Sequence, residues 1–183
     1  MKRPRAITPK SLENSAAHYL ERYSASEEGL RRVLQRRLHR ARRAGAEVPE
    51  EAPAWIEAVI ARFATLGIVD DRAFAETKAR SLHRRGSSSR ATSRRLKSAG
   101  VDGDTAQAAL AALDQELGTD PVRRERQAAI ALARRRRLGP FRPPAERADR
   151  RLRDLAAMAR GGFSYELARQ VIDAASPEAL DEE

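Results

Sequence analysis

Apolar positions recur every three to four residues along most of the chain. Leu12, Ala16, Tyr19, Leu20 and Tyr23 share one helical face, Leu30, Leu34, Leu38 and Ala41 line a second, and Ile56, Val59 and Ile60 a third. No stretch keeps the strict alternation of a half-buried strand, and Ala, Leu, Arg and Glu dominate. The pattern predicts an all-helical protein.

It also repeats. "GVDGDTAQAAL" (Gly100 to Leu110) and "GFSYELARQVI" (Gly162 to Ile172) both run glycine, apolar, Asp or Ser, three free positions, alanine, two free positions, a small or apolar residue, and then Leu or Ile. The glycine can end one helix in a left-handed conformation, Val101 or Phe163 staples the turn, and Asp102 or Ser164 caps the next helix. Ala106, Ala109, Leu110 and Leu113 then make one apolar stripe, and Ala168, Val171 and Ile172 another. Ile56, Val59 and Ile60 are a weaker copy behind a longer turn, "AEVPEEAPA" at 46–54, with Pro53 where a first helical turn tolerates proline. Each of these helices follows a basic helix, which itself follows another helix.

We therefore expect three tandem three-helix bundles, over residues 11–67, 68–118 and 119–175. Residues 1–10 would be a basic extension and 176–183 an acidic, disordered tail. "SASE" (Ser24 to Glu27) has capping-box spacing for the second helix, although Gly29 weakens its first turn.

"TLGIVDDRAF" sets Asp70 and Asp71 side by side. Catalysis would need a partner base, a metal ligand set or a nucleophile, and the sequence supplies none. Both acids instead fall where a helix begins, ahead of Phe74, Ala75, Ala79 and Leu82, so they are expected to cap it. Gly100 and Gly162 are the matching expected stops.

Composition narrows the function. There is no cysteine, His18, His39 and His83 stand apart, and the longest uncharged run, Thr105 to Leu113, is far too short for a membrane span. No phosphate-loop, dinucleotide, nucleophile-elbow or HExxH motif is present. The expectation is a non-enzymatic, cytoplasmic monomer with no cofactor, no metal and no membrane contact.

The charge is +10, from 32 arginines and 4 lysines against 26 acids. Compositional bias can favour arginine over lysine, but it does not cluster charge. Arg31 to Arg43 contains seven arginines and no acid, and Arg32, Arg36, Arg40 and Arg43 lie within roughly 80° on a helical wheel. Arg90, Arg94 and Lys97 repeat the arrangement within Lys78 to Lys97, which also lacks acids. A third group is the run Arg134 to Arg137, from which Arg134 and Arg135 are further candidates. Solvated helix faces ordinarily intersperse acids, so unrelieved positive charge points to an anionic partner, contacted through phosphate backbone or acidic protein rather than base edges.

"YLERYSASEEGLRRVL" (Tyr19 to Leu34), "LGIVDDRAFA" (Leu66 to Ala75), "RLKSAGV" (Arg95 to Val101) and "ARGGFSYELARQVI" (Ala159 to Ile172) together resemble the RecX family of bacterial recombinase regulators, over about residues 12 to 175. The chain departs from it at Gly29, in the 46–54 insertion, and in "GSSSRAT" (Gly86 to Thr92), where the family usually has an aliphatic residue. The resemblance implies an elongated, curved body of three bundles that binds the RecA recombinase filament on single-stranded DNA and lowers its ATPase and strand exchange. Double-stranded DNA is a further partner in this picture. The alternative is a helical DNA-binding or architectural protein acting without RecA.

Overall fold

The computed structural model describes residues 6–180. Among them are nine α-helices and no strand, in three successive sets of three: α1 (Pro9–Leu20), α2 (Glu27–Arg43) and α3 (Ala52–Thr65); α4 (Asp71–Arg84), α5 (Ser89–Ser98) and α6 (Gly103–Leu117); α7 (Pro121–Arg136), α8 (Pro144–Gly161) and α9 (Tyr165–Ile172). Short 3-10 turns occupy Gly139–Phe141 and Glu178–Leu180.

The chain divides into two compact units, Met1–Ala75 with Ser98–Asp102, and Glu76–Lys97 with Gly103–Glu183. In the first, α1, α2 and α3 pack on one another. Their core is Leu12, Ala16, Leu30, Leu34, Leu38, Ile56, Ile60 and Phe63, the positions that the three-to-four-residue period selects. The second unit has its principal core between α7, α8 and α9, built from Ala129, Leu132, Met158, Phe163, Val171 and Ile172. Its other buried positions are mostly small (Ala79, Ala91, Ala106 and Ala109), with Leu82, Leu96, Leu110 and Leu113 among them.

Four details differ from the sequence reading. The N-terminal extension is shorter than ten residues: Ile7 is buried and Thr8 caps α1, its hydroxyl accepting from the Ser11 amide at 3.1 Å, while residues 1–5 lie outside the described residues. The second helix is capped by Ser26, whose Oγ accepts from the Gly29 amide at 3.0 Å, so "SASE" starts the motif two residues early. Tyr23 lies past the end of α1 and is exposed, stacked on Tyr19 at 5.1 Å between ring centroids. The acidic tail also starts later than 176. Leu180 is buried and its carbonyl accepts from Arg126 Nη1 at 2.7 Å, so the segment from 176 is packed as far as Leu180, and residues 181–183 lie outside the described residues.

Candidate nucleic-acid interface

The acid pair divides its work. Asp70 Oδ1 accepts from the amides of Arg72 at 2.8 Å and Ala73 at 3.0 Å, which satisfies the open first turn of α4. Asp71 Oδ1 accepts instead from the amide of Glu27 at 2.7 Å, the first residue of α2. One aspartate caps its own helix, and the other reaches a helix 44 residues away in sequence. In each carboxylate Oδ1 is engaged by backbone amides. Among the described residues no group of three or more acids and histidines is arranged to hold a metal ion, and no helix is long and apolar enough to cross a membrane.

The start of α2 also receives the turn at Ser98–Asp102. Ser26 Oγ donates to the Ala99 carbonyl, and Arg32 Nη1 donates to the Ser98 carbonyl at 2.7 Å. Gly100 has φ +91°, and a Cβ there would stand 2.2 Å from the Cβ of Glu28. Backbone conformation and space both demand glycine at this position. Glu28 in turn accepts from Arg31 Nη1 at 2.5 Å and Arg32 Nε at 2.8 Å, and Glu57 grips Arg31 with two further bonds of 2.8 and 2.9 Å. Arg31 and then Arg32 hold the Glu28 carboxyl below its ordinary range, and Arg31 does the same for Glu57.

This network corrects the first stripe. Arg32 is a tethered residue that spends its guanidinium on Glu28 and Ser98. Arg36, Arg40 and Arg43 remain exposed with no acidic partner among the described residues, on the face of α2 opposite Leu30, Leu34 and Leu38. Arg40 Nε makes only a long 3.4 Å contact to the Arg36 carbonyl.

The other two groups lie in the second unit. Arg90, Arg94 and Lys97 are exposed on α5, while Ala91, Thr92 and Leu96 are buried. Arg134 and Arg135 are exposed in the last turn of α7, and Arg134 sits over the Phe141 ring at 5.5 Å. The three groups are thus shared between two compact units, the first stripe on one and the remaining two on the other.

Sequence reasoning missed the junction that orients α5. Ser88 Oγ accepts from the Ala91 amide at 3.1 Å, which caps α5, and donates to the Gly161 carbonyl at 2.8 Å. Glu125 accepts from both the amide and the hydroxyl of Ser89, at 2.8 and 2.5 Å. Beneath them Arg124 is buried, paired with Asp114 and donating to the Leu110 carbonyl at 3.0 Å and to Ser89 Oγ at 3.2 Å. Burial, and then the Arg124 charge, push the neighbouring His83 imidazole below its usual range. The "GSSSRAT" segment, which lacks an aliphatic anchor, is therefore held by polar contacts. The only hint in the sequence was a serine run directly before a helix start.

A family model for "RecX, second three-helix domain" matches residues 70–110, a span that opens at Asp70. The regulatory protein RecX of Myxococcus xanthus is 42% identical over 173 residues, covering 94% of this chain and 89% of that protein. The chain belongs to the RecX family. The regulatory protein RecX of Agrobacterium fabrum is 33% identical over 92% of this chain and 85% of its own length. The crystal structure of RecX from Lactobacillus salivarius superposes with a TM-score of 0.60 at 18% identity, covering 94% of this chain and 96% of that one. At that identity the likeness is one of fold, and it agrees with the succession of three-helix sets seen here.

Proposed function

We propose that this RecX-family chain regulates homologous recombination by binding the RecA filament on single-stranded DNA and lowering RecA's ATPase and strand exchange. It acts by binding rather than by catalysis. The observation that carries the reading is that a chain of this family presents three groups of exposed arginine and lysine on two compact units, in segments without acids. Arg36, Arg40 and Arg43 make one group, Arg90, Arg94 and Lys97 the second, and Arg134 with Arg135 the third. Phosphate oxygens, with which arginine forms bidentate bonds, and acidic protein side chains are the chemistry such groups meet. A ligand of this kind shifts the filament only as far as its affinity differs between active and inactive filament states.

The same exposed cations favour one other reading, binding to DNA alone. Titrating the protein into RecA's DNA-dependent ATPase at two single-stranded DNA concentrations separates them. Inhibition below one protein per RecA, unchanged by added DNA, is the expected result. Inhibition that vanishes in excess DNA would mean competition for DNA, and no inhibition at either concentration would sink the RecA reading.

A further inference from the structure

Six helices among the described residues end in the same pair of hydrogen bonds. A corner residue one or two positions past the helix bonds back three positions, and its successor bonds back five: Gly45 to Arg42 with Ala46 to Ala41, Gly67 to Ala64 with Ile68 to Phe63, Gly86 to His83 with Ser87 to Leu82, Gly118 to Gln115 with Thr119 to Asp114, Gly162 to Ala159 with Phe163 to Met158, and Arg137 to Arg134 with Leu138 to Ala133. The motif needs a left-handed residue at its corner, and glycine is the residue that adopts this without a Cβ clash. Five corners are glycines with φ between +59° and +93°. At the end of α7 the corner is Arg137, with φ 54°, the one left-handed non-glycine among the described residues.

Local charge does not explain the exception. Cations near a helix C-terminus are stabilised by its dipole, but Arg134, Arg135 and Arg136 already supply that in the last turn of α7. A glycine at 137 would have kept the hydrogen bonds and removed the strain. The support around Arg137 is also rigid. Leu138 is buried, the Gly139 amide donates to the buried Asp154 at 2.9 Å, and Gly139 lies so near α9 that a Cβ would stand 2.7 Å from the Ile172 Cα. A strained residue with an exposed cationic side chain on a fixed base is the kind of outlier from which function is inferred.

The charge around it selects the ligand. From Arg126 to Ala145 the chain has six arginines and no acid. Arg126 and Arg142 are engaged by the Leu180 carbonyl and Asp154, and Arg134 faces Phe141. Arg135, Arg136 and Arg137 are exposed and have no acidic partner among the described residues. Three consecutive exposed arginines, in a segment whose one aromatic residue, Phe141, lies under Arg134, suit backbone phosphates better than bases.

We propose that Arg137, with Arg135 and Arg136, is a phosphate-contact site for single-stranded DNA, and that its side chain is kept in a left-handed position at the expense of backbone strain. This rests on the DNA-contacting part of the function proposed above and adds to it two residues, Arg136 and Arg137, outside the groups named there.

The test uses the full chain, a fluorescent oligothymidylate and three variants: Arg137→Gly, Arg137→Asn and Arg36→Glu/Arg40→Glu. Glycine and asparagine both accept the left-handed corner, and both remove the charge. Each is expected to keep a thermal midpoint no lower than the parent's while binding the oligonucleotide about three- to fivefold more weakly at 0.15 M salt, the loss of one phosphate contact. If the glycine variant bound like the parent while the α2 variant weakened, Arg137 would be no contact and the general reading would survive. A loss in the glycine variant but not in the asparagine variant would trace the effect to backbone freedom, and would overturn the proposal. A clearly lowered midpoint in the glycine variant would remove its premise. A parent that failed to bind the oligonucleotide would defeat both this site and the DNA part of the wider reading.

Discussion

At the scale of single residues, the two adjacent aspartates do different things although the sequence shows one motif. Asp70 serves α4 and Asp71 serves α2. Replacing either by alanine should cost about 1 kcal/mol, the usual worth of a cap. The effects should appear in different places. Asp70→Ala is expected to speed amide exchange at Arg72 and Ala73, whereas Asp71→Ala should speed it at Glu27 and leave those two protected. If Asp71→Ala left Glu27 exchange unchanged, the bridge between the two helices would be absent in solution. That both acids open a helix was legible, because an N-cap is a local signal. The partner of Asp71 was not, since nothing near Asp71 encodes a contact 44 residues away. The same holds for Arg32, whose place on the wheel put it among the binding candidates. The pairing with Glu28 and the approach of the Ser98 carbonyl together show it to be tethered.

At the scale of elements, hydrophobic period placed the helices and their buried faces well, because burial of a stripe is what holds a helix of this length in place. Leu30, Leu34 and Leu38 in α2, and Ala168, Val171 and Ile172 in α9, are buried as their spacing requires. Period says nothing about polar docking, and α5 depends on it. Arg124 of α7 would pass in the sequence as one more basic surface residue, yet its side chain is only 7% exposed and is satisfied by Asp114, Leu110 and Ser89. Removing one partner of such a pair leaves an uncompensated charge and carbonyl. Arg124→Met should therefore destabilise the protein by about 3 kcal/mol in urea unfolding. Adding Asp114→Leu should recover a large part of that loss, because a buried pair replaced by packed apolar groups is often near neutral. A double variant no more stable than the single one would show that Arg124 works through the carbonyl and hydroxyl alone.

At the scale of the whole molecule, each of the two compact units carries exposed cations with no acidic partner among the described residues. In the first they are Arg36, Arg40 and Arg43, and in the second Arg90, Lys97, Arg135, Arg136 and Arg137 among others. Where a ligand with a charged backbone meets such cations, counterion release makes affinity a steep function of salt. Each neutralised phosphate on a single strand contributes about −0.7 to the slope of log K against log salt. If the three α2 arginines meet phosphates, changing them together to glutamate should flatten the slope measured without RecA by about 2. The remaining slope would belong to the second unit. Changing Arg135, Arg136 and Arg137 together to glutamine should flatten it by a further amount of about 2, and the two losses should add in the combined variant. A slope already abolished by the α2 changes would confine DNA contact to one unit and leave the second unit's arginines to an acidic protein surface. An unchanged slope would remove α2 from the DNA contact altogether, whatever its effect on RecA.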